Sequence, residues 1–181
     1  MENVSTKTNT MAKLGILAAI SVVLVAIVHF PLIPAASFLE YDPADVPILL
    51  GTFALGPAAG LLLTITASVI QGVTVSAASS WYGIVMHIIA TGTYVLVAGN
   101  IYRQNKTKKQ AVLALLCGTL AMAAVMVPAN LFITPVFMGA PREVVAGMIP
   151  TAILPFNLLK AGINSVITFV LYKRVSPLLH R

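Results

Sequence analysis

Long apolar segments alternate with short polar or proline-containing stretches along nearly the whole chain. A run of about 20 mainly apolar residues is long enough to cross a bilayer as a helix, and turn residues mark where such a helix ends. The pattern predicts six helices, of which the second is the shortest and the third carries the most polar residues. Their approximate bounds are Met11 to His29, Pro43 to Leu55, Ala58 to Val73, Tyr82 to Arg103, Lys109 to Ile133 and Pro150 to Arg174.

The composition supports a membrane protein. Of the 181 residues, 59% are hydrophobic and 9% are charged, and the mean hydropathy is +0.96, whereas soluble domains carry about 25% charged residues. We therefore predict one all-α integral membrane domain over residues 1–181, with six transmembrane helices and a flexible tail at residues 1–10. A cleaved signal peptide in place of the first helix is the less favoured alternative, because the charge pattern requires that helix.

The charged residues orient the six helices. Lysine and arginine are enriched in cytoplasmic loops of membrane proteins, and nine basic residues fall on one side of the predicted arrangement. Both termini are therefore predicted to be cytoplasmic, whereas Arg142 is predicted outside and Lys160 within the membrane. The basic side holds Lys7, Lys13, Arg103, Lys106, Lys108, Lys109, Lys173, Arg174 and Arg181, and the outer side holds Glu40, Asp42, Asp45 and Glu143.

The sequence contains no recognisable catalytic machinery. The single cysteine, Cys117, excludes an internal disulfide and a CxxC metal site. The stretch GTFALGP, Gly51 to Pro57, has the glycine spacing of a phosphate-binding loop but proline where the lysine is required, so we interpret it as a turn between helices. For His87 we favour a histidine hydrogen-bonded within the bundle over a metal ligand or proton relay. We predict that the chain is not an enzyme and carries no cofactor.

Polar residues cluster within the apolar segment near the C-terminus. Asn157, Lys160 and Asn164 are spaced i, i+3 and i+7, which places them on one face of a helix. Pro155 precedes them and leaves a backbone carbonyl without its N–H partner. Asn130 follows Pro128 in the same way on the fifth helix. We expect both helices to be loosened at these prolines, which suits a cavity better than a tight bundle.

Lys160 indicates a binding role for this cluster. An ionisable side chain at bilayer depth costs at least about 2.5 kcal/mol and marks a functional site by default. We expect no carboxylate within the membrane to pair with Lys160, so interhelical hydrogen bonding is a weaker explanation for it than for Asn164. Lysine donors and asparagine amides together suit a flat, uncharged heterocycle with carbonyls and an imide N–H. The expected walls are Phe38, Leu39, Tyr41, Trp81, Tyr82 and Phe156.

Small residues line part of the first helix. Gly15 and Ala19 form a small-xxx-small pair, with Ala18 beside them. Such pairs let membrane helices approach closely. Packing within the chain and contact with another membrane subunit both remain open from this pattern.

Four stretches of the chain resemble a known family. The sequence is similar to the substrate-binding S components of energy-coupling factor (ECF) vitamin importers, and most like the riboflavin-specific branch. The resemblance runs from about Ala12 onward, and its more specific pieces are VPAN and PFNxxKxxxN. The stretches that carry it are FLEYDPADVPILLGTFALGPAAG, GTYVLVAGNIY, MVPANLFITP and PFNLLKAGINSVITFVLYKRVSP.

The resemblance implies a vitamin-binding subunit of the bacterial plasma membrane. It implies riboflavin as the transported ligand, capture from outside, and docking through the first helix, with Gly15, Ala18 and Ala19, on a transmembrane T component driven by two cytoplasmic ATPases. It also implies flavin contacts from Asn130, Asn157, Lys160 and Asn164, and a covering loop with Phe38, Leu39, Tyr41 and Asp42. The alternatives are an S component for thiamine, biotin or pantothenate, and a small intramembrane enzyme or assembly protein.

Overall fold

The fold of the protein is a helical bundle with one short hairpin. The structure, a computed structural model, describes residues 4–179, apart from the side chains of residues 4–6, 35, 78, 80, 173 and 175–179. The first three residues of the predicted tail and the predicted cytoplasmic Arg181 lie outside the described residues. The helices are α1 (Val4–Ile27), α2 (Asp45–Leu55), α3 (Pro57–Val73), α4 (Ser80–Gln104), α5 (Lys108–Met138), α6 (Arg142–Met148) and α7 (Leu154–Leu179).

Within the described residues, four helical stretches are long and apolar enough to cross a membrane. They are Lys7–Ile27, Trp81–Gln104, Lys108–Met138 and Arg142–Tyr172. Helices α2 and α3 are apolar but shorter. The 11 residues of α2 extend about 16 Å, roughly half the hydrocarbon thickness.

Helix α1 begins earlier than the hydrophobic pattern predicts. It starts at Val4, so residues 4–10 of the predicted tail are helical. Extending an existing helix costs much less free energy than nucleating a new one. Polar residues without glycine or proline therefore continue the helix of the apolar segment.

The prolines affect the last two long helices differently. Helix α5 continues through Pro128 and Pro135 without a break. The loosening expected at Pro128 therefore does not interrupt the helix near Asn130. Before Pro155, by contrast, a π-helical turn at Ile149–Ile153 joins α6 to α7. The sixth segment therefore begins at Arg142 and not near Pro150. Membrane helices tolerate proline where local 3₁₀ or π adjustments and polar side chains satisfy the freed groups.

The turn between α2 and α3 confirms the interpretation of GTFALGP. Helix α2 includes its first five residues, and Gly56 then adopts a φ of 99°, which is accessible mainly to glycine. Pro57 begins α3, where its missing N–H breaks no hydrogen bond.

The loop between α1 and α2 folds back over the end of the bundle. Strands β1 (Phe30–Pro31) and β2 (Glu40–Tyr41) pair antiparallel, with Phe30 opposite Tyr41. A small apolar cluster, separate from the main core, fixes the loop to the start of the last membrane-length segment. This cluster contains Ala36, Leu39, Val145, Ala152, Ile153 and Phe156.

Candidate functional site

A cavity of about 140 Å³ lies beneath this loop. It is at the end of the bundle where β2, the end of α3 and the start of α4 meet, opposite the basic turn between α4 and α5. Its walls are apolar for the most part, with polar groups at two places. The lining residues used below are Phe38, Leu39, Asp42, Ser68, Gln71, Ser76, Ser79, Tyr82, His87, Asn130, Phe156, Asn157 and Lys160.

Helix α7 supplies one polar wall through Asn157 and Lys160. Their side chains share the buried face predicted from their spacing, and the two residues as a whole are 2% and 7% exposed. Lys160 Nζ donates to Asp42 Oδ2 over 2.6 Å. The expectation that no carboxylate can pair with Lys160 is therefore wrong. The loop between α1 and α2 turns inward after β2 and carries Asp42 to the buried ammonium.

Asn164 holds the covering loop and does not line the cavity. Its Nδ2 donates to the Asp42 carbonyl over 3.2 Å and to Asp45 Oδ2 over 3.0 Å. Its Oδ1 accepts from the Tyr41 hydroxyl over 3.0 Å. Burial raises the pKa of the Tyr41 phenol above its ordinary value, so this hydroxyl stays protonated and available as the donor. Both residues, predicted to contact a ligand, contact one another here.

Asp45 forms a second buried polar network that the sequence analysis did not identify. Its side chain is fully buried, and its Oδ1 accepts from Thr91 Oγ1 over 2.6 Å and lies 3.3 Å from His87 Nε2. His87 Nδ1 lies 2.9 Å from Ser68 Oγ. The network ties α2 to α3, α4 and α7, and the prediction that His87 is hydrogen-bonded within the bundle is confirmed.

Local hydrogen bonds hold the amides of Asn130 and Asn157, and each amide has further donors or acceptors that could bond a ligand. Asn130 Nδ2 donates to the Met126 carbonyl over 2.8 Å, and its Oδ1 accepts from Thr134. Asn157 Nδ2 donates to the Ile153 carbonyl of the π turn over 2.7 Å. A carboxamide has two N–H donors and two acceptor lone pairs. These bonds therefore fix the orientation of each amide without using all of its groups.

The predicted apolar walls are present only in part. Phe38, Leu39, Tyr82 and Phe156 line the cavity, and Tyr82 stacks on Phe137 with ring centroids 4.0 Å apart. Trp81 is outside the lining and 50% exposed, as befits an aromatic residue at a membrane interface.

The small residues of α1 divide between two faces. Gly15 and Ala19 are exposed, whereas Ala18 is 5% exposed and belongs to the main core. The exposed face also carries Met11, Ile16 and Val23. No group of three or more histidine, cysteine or carboxylate side chains able to hold a metal occurs in the described part of the chain.

The apolar helices and the polar cavity beneath a loop define a multi-pass membrane protein with an internal cavity suited to a small molecule. The chain belongs to the family of substrate-specific components of ECF transporters, whose sequence profile matches residues 9–172. The predicted family resemblance is thus confirmed.

Individual relatives and one solved structure agree with this assignment. The riboflavin transporter RibU of Streptococcus thermophilus is 29% identical over 96% of this chain and 86% of its own length. The riboflavin transporter FmnP of Bacillus subtilis is 26% identical over 94% of both chains. A solved S component of a bacterial ECF transporter superposes with a TM-score of 0.83 at 28% identity, over 97% of this chain and 99% of the other.

Proposed function

We propose that this chain is the riboflavin-binding S component of an ECF importer. The observation that carries the proposal is the cavity itself, in which the two asparagines and Lys160 lie within apolar and aromatic walls. Relatives named as riboflavin transporters support the choice of ligand. A neutral, flat ring system with a polar edge matches both parts of the lining.

In the proposed complex, the polar edge of the flavin faces α5 and α7. Asn130 and Asn157 exchange hydrogen bonds with the ring's carbonyl, imide and nitrogen positions, since carboxamides both donate and accept. Lys160 donates to a carbonyl oxygen. Tyr82, Phe156 and Phe38 cover the faces of the ring, where aromatic contacts favour a flat ligand.

The present cavity is smaller than the proposed ligand requires. Its volume of about 140 Å³ is below the 300–1,000 Å³ or so that is typical of small-molecule sites. We propose that the loop with Phe38, Leu39, Tyr41 and Asp42 moves outward to admit riboflavin and then covers it. Asp42 must shift for this to happen, so the ion pair with Lys160 loosens as the ligand enters.

The charge of the site favours riboflavin over a carboxylate ligand. Asp42 pairs directly with Lys160. Asn164 links Asp45 to this pair, because its Nδ2 donates both to the Asp42 carbonyl and to Asp45 Oδ2. A carboxylate ligand such as biotin or pantothenate would meet these two carboxylates as well as the lysine. An uncharged ligand avoids this repulsion.

The remaining elements of the proposal concern topology and partners. We propose six membrane-crossing segments in a single domain over residues 1–181, with α2 the shortest of them and α6 and α7 forming one segment. We also propose cytoplasmic termini and residence in the bacterial plasma membrane. The exposed Gly15 and Ala19 face of α1 docks on a transmembrane T component, and Ala18 packs behind it. Two cytoplasmic ATPases supply the energy, so this chain binds and releases the vitamin without catalysis.

An absorption spectrum of the purified protein tests the proposal. Protein expressed in rich medium and purified in mild detergent is expected to be yellow, with flavin bands at close to one flavin per chain. Colourless protein that also fails to quench the fluorescence of added riboflavin would contradict the proposal and favour another vitamin.

A further inference from the structure

Gln71 presents a buried donor to the cavity. The residue is 7% exposed, it lines the cavity, and its Nε2 has no hydrogen-bond partner among the residues whose side chains are described. A buried donor without a partner is unfavourable, because the group has lost its bonds to water. Such a group is expected where a ligand or an ordered water completes the bond.

Gln71 lies on a different wall from the asparagines and Lys160. It is in the last turn of α3, which packs against α1, α2 and α4, whereas α7 packs against α2 and α5. The neighbouring lining is also polar, because Ser76 and Ser79 follow in the connection to α4. The cavity therefore has two separate polar walls, one on α5 and α7 and one at the end of α3.

Two other polar side chains near Gln71, those of Ser68 and Ser79, are bonded within the protein. Ser68 Oγ donates to the Thr64 carbonyl over 2.6 Å and contacts His87. Ser79 Oγ donates to the Ser76 carbonyl over 2.8 Å. The Gln71 amide is thus the buried group on this wall that can gain most from a ligand.

We infer that the wall at the end of α3 is a subsite for an aliphatic hydroxyl chain on the ligand, with Gln71 Nε2 donating to a hydroxyl oxygen. The inference rests on the proposed function, in which the polar edge of the ring occupies the wall on α5 and α7. The ribityl chain of riboflavin is attached away from that edge. It therefore extends toward other parts of the cavity, where the wall with Gln71 offers hydrogen bonds.

Binding of two flavins, riboflavin and lumiflavin, distinguishes the contribution of this subsite from that of the ring site. Lumiflavin keeps the ring system but has a methyl group in place of the ribityl chain. We expect the parent protein to bind riboflavin more tightly than lumiflavin. Gln71→Met keeps the side-chain length and removes the donor, so its riboflavin Kd should rise about 2- to 10-fold, the range of one net hydrogen bond, while its lumiflavin Kd stays unchanged.

A second glutamine provides the matched control. Gln110 Nε2 donates to the Ile101 carbonyl over 3.1 Å, and Gln110 is outside the cavity lining. Gln110→Met should change neither Kd. Gln71→Met should also leave the melting temperature without ligand unchanged or higher, because it removes an unpaired buried donor.

Three results would overturn the inference: equal affinity of the parent for both flavins, an equal loss for both flavins in Gln71→Met, or no loss for either. A parent protein that binds neither flavin would contradict the proposed function itself. Because lumiflavin reports on the ring site alone, failure of the subsite and failure of the riboflavin assignment give different results.

Discussion

Lys160 Nζ on α7 and Asp42 Oδ2 on the covering loop are 2.6 Å apart, with side-chain exposures of 9% and 15%. The pair joins the polar wall of the cavity to the loop that closes it. Removing one member of a buried pair leaves the other charge without compensation. Under the proposed function, Lys160 has two partners, the loop carboxylate and a carbonyl of the ligand, and its three N–H donors let it bond both once the loop has closed over the ligand.

The first prediction concerns Lys160 as a ligand contact. Lys160→Met keeps the apolar stem and removes the ammonium, so riboflavin affinity should fall about 10- to 100-fold, the range for a hydrogen bond to a charged group. Fluorescence quenching in detergent measures the Kd. The double variant Lys160→Met with Asp42→Asn controls for the carboxylate left unpaired. Riboflavin binding as tight as in the parent in both variants would show that Lys160 does not contact the ligand.

Asp42 is predicted to slow ligand release. Asp42→Asn weakens the hold of α7 on the loop, so riboflavin should dissociate faster, by about 10-fold at most for one charge-assisted bond that is partly exposed. Stopped-flow fluorescence after dilution measures the rate. Glu143→Gln, an exposed carboxylate on α6 outside the lining, is the control. Equal dissociation rates in the parent and Asp42→Asn would mean that the ion pair does not hold the loop closed.

Tyr41 and Asn164 are predicted to act on the loop and not on the ligand. Tyr41→Phe removes one buried hydrogen bond and leaves the Asn164 Oδ1 acceptor short of a partner, which costs about 1–3 kcal/mol of closed-loop stability. Riboflavin should then associate and dissociate faster, while its absorption spectrum in the complex stays as in the parent. A changed spectrum with unchanged rates would place the Tyr41 hydroxyl on the flavin instead.

Asp45 is predicted to support folding. Asp45→Ala leaves the donors of Thr91 and Asn164 without their buried acceptor, and each unsatisfied group costs about 1–3 kcal/mol. The melting temperature in detergent should fall clearly, with or without riboflavin. Asp45→Asn should restore part of it, because an amide oxygen still accepts from Thr91. A melting temperature equal to that of the parent in Asp45→Ala would contradict the structural role of this network.

The spacing of residues along one helix predicted one wall of the site. It could not predict which residues distant in sequence contact each other. Asn157 and Lys160 share a helical face because their separation matches the helical period, so one sequence segment contains the information. Lys160 meets Asp42 across 118 residues of sequence, and Asp45 meets His87 across 42. Those contacts depend on how the loop folds over the bundle, which no periodicity records. Gln71 is one of several polar residues in the third predicted helix, and only the folded structure shows that it lines the cavity with an unpaired donor.

The last prediction separates ligand binding from docking on a partner. Gly15 and Ala19 are exposed on α1. Apart from the adjacent residues and the backbone of α1 itself, no heavy atom of the described residues lies within 4 Å of a Cβ added at Gly15. Leucine at either position should therefore be tolerated by the fold, and riboflavin Kd should stay that of the parent. Close helix approach needs small residues, so co-purification with the T component and riboflavin uptake by cells should both fall.

Ala124→Leu provides the matched control, since Ala124 is an exposed alanine on α5, away from this face. Gly15→Leu or Ala19→Leu with uptake equal to that of Ala124→Leu would contradict docking through α1. Loss of uptake with a weakened riboflavin Kd would also contradict it, because the substitution would then have acted on the binding site. The proposed docking face therefore requires loss of uptake and of the T component at an unchanged Kd.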